Sequence, residues 1–144
     1  MYKRQEHYRA LFPGIQVTAD GNRYLGSFIG TKPATERYVN KKVKEWVLDI
    51  EDISRVAASE PQLSFAAYFF GITKKWTYLL RTTPEIAHLL SPIEKSIRHQ
   101  LLPALTGINP ISDVLREAFS LTPKNGGLGI VNPCLLYTSP SPRD

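Results

Sequence analysis

Residues 34–58, ATERYVNKKVKEWVLDIEDISRVAA, decide how this chain is read. Val39, Val43, Trp46, Ile50, Ile53 and Ala57 recur at spacings of four, three, four, three and four, one side of an α-helix. Val47 and Val56 widen the stripe. Lys41, Lys42, Lys44, Glu45, Asp49 and Asp52 occupy the other side, so the spacing predicts an amphipathic helix with one buried face. Pro33 fits the first helical turn, where a missing N–H costs nothing, and Ser59-Glu60-Pro61 marks the end. Such a stripe requires a partner surface but names no function.

Upstream of this helix the pattern turns β-like. Ile15 and Val17 followed by Asp20-Gly21-Asn22 read as a strand entering a turn, and Tyr24 to Gly30 as a returning strand. One hairpin is marginal alone and needs a helix or further strands against its apolar side. Phe12-Pro13-Gly14 is a turn signal before it, and the charged opening residues suggest a chain that begins within something larger.

Downstream, Ser59 and Gln62 fit a capping box for a second helix reaching Thr83, with Gly71-Ile72-Thr73 a place for a kink. Phe65, Tyr68, Phe69, Phe70, Trp76 and Tyr78 crowd it; they form core, or a surface for a partner helix or nucleotide bases. Thr83-Pro84-Glu85 predicts a short helix through Leu90. Ser91 and Glu94 predict a box-capped helix with Ile93, Ile97, Leu101 and Leu105 inward, bent near Pro103 and closed by Thr106-Gly107. Asn109-Pro110 opens a last helix carrying Ile111, Val114, Leu115, Ala118 and Phe119, stopped at Leu121-Thr122-Pro123. Gly126, Gly127 and Gly129 then form a tight turn that tucks Leu128 and Ile130 inward. They do not form a phosphate loop, because no Gly-Lys-Ser/Thr ending or preceding strand is present.

Composition is that of a globular chain, 42% hydrophobic and 22% charged over 144 residues, enough for one core. The net charge of +5 gathers near the N-terminus and permits a nucleic-acid or acidic partner without requiring one. Cys134 is the single cysteine, which excludes an intrachain disulfide framework. No apolar run approaches membrane-helix length, and Met1 to His7 lack the apolar core of a signal peptide, so an intracellular chain is expected. His7, His88 and His99 have no partners at metal-ligand spacing, and no catalytic residues or metal site are assigned.

Three segments, in order, carry a family resemblance. Arg23-Tyr24-Leu25-Gly26-Ser27-Phe28-Ile29-Gly30 resembles the YLG hairpin closing the palm of reverse transcriptases, near the primer grip. Trp76 to Thr82 is similar to a downstream segment of retroelement polymerases, and Pro123 to Pro133 resembles their GGLGI stretch. The resemblance spans roughly residues 10–133. It implies a retrotransposon RNA-directed DNA polymerase fragment of α+β, mostly α class. Residues 1–33 are then a palm remnant with a β-hairpin, and residues 34–133 a thumb-like bundle of about five helices. The family holds two magnesium ions on palm aspartates, commonly in a Tyr-x-Asp-Asp turn. No adjacent Asp pair exists here, so the implied fragment is inactive and carries no cofactor; its parent's partners are an RNA template and a DNA primer. Tyr24, Leu25 and Gly26 become the candidate primer contact, and Lys41, Lys42 and Lys44 candidate phosphate contacts. The alternative is a non-catalytic helical module binding nucleic acid or protein. Residues 134–144 resemble a translated sequencing-adaptor tail and are expected to be disordered.

Overall fold

A computed structural model describes residues 11–14 and 18–136. A short antiparallel β-hairpin is followed by a mostly helical body. Strand β1 (Gly21–Tyr24) pairs with β2 (Ser27–Gly30), with Tyr24 opposite Ser27 and Gly21 opposite Gly30. The turn is therefore Leu25-Gly26 and not Asp20-Gly21-Asn22; Ile15 and Val17 lie outside the described residues. A type I′ hairpin turn needs left-handed φ at both central positions, and Leu25 and Gly26 have φ of 47° and 85°. Asp20 instead prolongs the ladder, its carbonyl accepting the Thr31 N–H at 2.8 Å.

Helix α1 (Lys32–Ala57) starts immediately afterwards, with Pro33 in its first turn. Val39, Val43, Trp46, Ile50 and Ala57 are buried, as the spacing requires, while Val47 and Ile53 are half-buried and Val56 is exposed. The partner surface comes from two further rods. One runs α2 (Pro61–Ala66), a π-helical turn over Ala67–Ile72 and α3 (Thr73–Thr82) without a break. The other runs α4 (Ser91–Ser96), a π turn over Ile97–Leu101 and α5 (Leu102–Thr106). The two anticipated irregularities, at Gly71 and before Pro103, are both these widened turns; Thr73 and Leu102 donate to carbonyls five residues back. Trp76 sits edge-on to Trp46 at 6.2 Å between centroids and tilted against Tyr68 at 6.0 Å. Around them Ile93, Ile97, Leu101 and Leu102 are fully buried. Each such side chain contributes about 1.5–3 kcal/mol on leaving water.

Helix starts depart from the expected caps. Ser59 donates its hydroxyl back to the Val56 carbonyl, so no box forms with Gln62. Ser91 already has helical dihedrals after a 3₁₀ turn at Ala87–Leu90, whereas a capping serine must be extended; Glu94 is used elsewhere. Thr83-Pro84-Glu85 is not helical, because Glu85 takes φ of 59°. The last helix, α6 (Asp113–Ser120), starts three residues after Pro110, where Ser112 accepts the Leu115 N–H. Val114 on it faces solvent.

The chain after α6 folds back onto it. Leu128 and Ile130 donate N–H bonds to the Phe119 carbonyl and Gly129 to that of Leu121, satisfying helix-end acceptors. Ile130 is fully buried, Leu128 packs at the core edge, and Gly126 and Gly129 take left-handed φ. Pro133 is buried, and packing continues into the first residue of the segment expected to be a disordered tail, where Cys134 lies against the core with its N–H on Asn132 Oδ1. Burial raises the Cys134 thiol pKa, which disfavours the reactive thiolate. Residues 137–144 lie outside the described residues.

One core feature gives a direct stability test. The Ser64 hydroxyl is buried and has no hydrogen-bond partner among the described residues. An unpaired buried hydroxyl costs free energy and alanine is the better helix former. Ser64→Ala is expected to hold or raise stability by up to about 1 kcal/mol in urea unfolding. A clear loss would assign the hydroxyl a partner.

Candidate nucleic-acid interface

The hairpin tip is the most prominent exposed apolar feature that carries candidate residues. Tyr24 and Leu25 are 62% and 77% exposed at a turn that stands away from the helical body unless something tethers it. It is tethered. Tyr78 of α3 donates its hydroxyl to the Leu25 carbonyl, and the Ser27 and Thr83 hydroxyls meet in a buried bond at 3.0 Å. Gly26 lies against the Tyr78 ring, where an added Cβ would stand 3.3 Å away. On the opposite side Phe28 stacks on Tyr38 of α1 at 5.1 Å.

Beside the tip runs a cleft of about 520 Å³ lined by Arg23, Gly26, Tyr38, Lys42, Trp46 and Lys75, with Glu45 and Asp49. Two of its three cations are already matched. Lys42 pairs with Glu45 one turn on, and Lys75 reaches Asp49 at 2.6 Å. Arg23 has no ion-pair partner among the described residues. A phosphate entering the cleft would meet Arg23 directly but would compete with carboxylates for both lysines.

The three candidate lysines do not form one patch. At about 100° per residue, Lys42 points to the hairpin flank, Lys41 lies about 100° away on the solvent face, and Lys44 a further 60° or so beyond it. Lys41 and Lys44 are exposed and make no ion pair among the described residues. The structure therefore brings Tyr24, Leu25, Gly26 and Lys42 together, leaves Lys41 adjacent, and turns Lys44 away. Arg23 has no role in the sequence reading, and Tyr78 has one only as one of the crowded aromatics, not as a contact of the turn. Arg23 was visible as the cation next to the turn, but the Tyr78 contact spans 53 residues and has no local signal.

Gly126, Gly127 and Gly129 sit at the end of α6, where they close the chain against helix-end carbonyls. Among the described residues, no three His, Cys, Asp or Glu side chains converge to hold a metal ion, and no helix is long and apolar enough to cross a membrane. No known protein family, curated protein or solved structure matches the chain.

Proposed function

We propose that this chain is a nucleic-acid-positioning piece of a mobile-element RNA-directed DNA polymerase, contacting an RNA template and DNA primer without performing the chemical step. The observation supporting this reading is the tethered hairpin tip, which presents an exposed aromatic and aliphatic pair beside Arg23, a cation with no ion-pair partner among the described residues. The glycine at the second position of the turn admits the Tyr78 ring, so the primer contact falls to the exposed Tyr24 and Leu25 side chains. Unpaired cations nearby supply sequence-independent attraction to phosphates.

Binding of the full chain to a labelled RNA–DNA primer-template across a salt series tests this. Affinity is expected to fall steeply with salt. Arg23→Ala and Lys41→Ala should each reduce the salt slope by about one unit. Lys42→Ala should change it less, because Glu45 already holds that ammonium, and Lys44→Ala on the far side should leave it unaltered. A folded chain with no salt-dependent binding would overturn the reading. Function would then shift to protein binding.

A further inference from the structure

We infer that Tyr78 is a positioning residue for the hairpin tip, setting where Tyr24 and Leu25 are presented without itself meeting nucleic acid. The inference rests on the nucleic-acid reading for its functional consequence but on geometry for its mechanism. Leu25 is a branched residue held at φ of 47°, a conformation that non-glycine residues adopt at a cost. The ladder closes the turn at its last pair, Tyr24 opposite Ser27, and leaves the Leu25 carbonyl beyond that pair. A further hold comes from outside the hairpin. The Tyr78 hydroxyl donates to the carbonyl of Leu25 itself, and the Tyr78 ring lies against Gly26, the other left-handed residue of the turn. One side chain thus touches both residues whose dihedrals define the turn. The Ser27–Thr83 bond fixes the adjoining ladder end to the residue just after α3. A two-stranded hairpin is marginal alone, so its tip takes its orientation from α3, through contacts 53 and 56 residues away in sequence.

Tyr78→Phe separates positioning from packing and from direct contact, because the ring stays and only the hydroxyl leaves. The substitution is expected to speed amide hydrogen exchange at Ser27, the ladder residue next to the turn, at least tenfold while exchange in α1 is unchanged. Primer-template affinity should fall several-fold with an unaltered salt slope. Tyr78→Ala, which also removes the ring from Gly26, should do more on both measures. Unchanged exchange at Ser27 in Tyr78→Phe overturns the inference whether or not the chain binds nucleic acid. Faster exchange with wild-type affinity overturns the claim that tip presentation matters for binding. If the wild-type chain does not bind, the function proposed above fails, and the exchange result alone decides whether Tyr78 orients the turn.

Discussion

Arg116→Met is expected to destabilise the fold by about 3–5 kcal/mol, the largest effect of any single substitution considered. Arg116 is buried and forks onto Glu94, with Nε to Oε1 at 2.6 Å and Nη2 to Oε2 at 2.7 Å. Its remaining nitrogen donates to the carbonyl of the fully buried Ile130 at 2.7 Å. Removing the guanidinium leaves a carboxylate without its counter-charge and a buried carbonyl without a donor, each a penalty in a water-poor site. The same pair flanks Tyr68, whose phenol pKa is raised well above its ordinary value, chiefly by burial. Arg116 works against that shift and Glu94 adds to it. Urea unfolding at neutral pH reads the loss as a lower midpoint at unchanged slope. Replacing both partners, Glu94→Met with Arg116→Met, should recover much of it, because no lone charge remains. A single substitution within 1 kcal/mol of wild type would show that the pair contributes little beyond its own desolvation.

Gly127→Ala is the second large effect, expected to cost about 3 kcal/mol through steric overpacking. A Cβ there would lie 2.1 Å from the Leu121 carbonyl oxygen and 2.6 Å from that of Ala118. Both are backbone atoms, and the Leu121 carbonyl also accepts from Gly129, so neither can move without unlocking the return of the chain onto α6. Gly71→Ala makes the comparison, since nothing lies within 4 Å of its position and it sits in a helical rod. That substitution should stabilise by about 0.5–1 kcal/mol, the ordinary advantage of alanine over glycine in a helix. Thermal unfolding of the two variants therefore moves in opposite directions, and a common direction would contradict the packing described at Gly127.

The long helix was legible because its evidence is local. Six apolar residues at helical spacing need only one buried side, and five of them are buried in α1. Gly107 at the end of α5, Pro33 at the start of α1 and the widened turns at Gly71 and before Pro103 were legible for the same reason, since glycine and proline act on their own backbone. The capping boxes were not. Whether Ser59 or Ser91 caps a helix depends on the direction from which the chain arrives, and here one serine turns back to Val56 while the other already lies in a helix. Glu94 had a local role available as a capping partner, but Arg116, 22 residues on, offers a bidentate charged contact that a backbone N–H cannot match. The hairpin turn falls at Leu25-Gly26 and not at Asp20-Gly21-Asn22, and the contacts that hold it there, Tyr78 on the Leu25 carbonyl and Thr83 on Ser27, come from distant sequence. Periodicity and backbone chemistry thus establish the rods, since those forces act within a few residues. Which cations are free, which tyrosine holds the turn and which carboxylate meets Arg116 follow from contacts between distant segments, which exist only once the rods have packed.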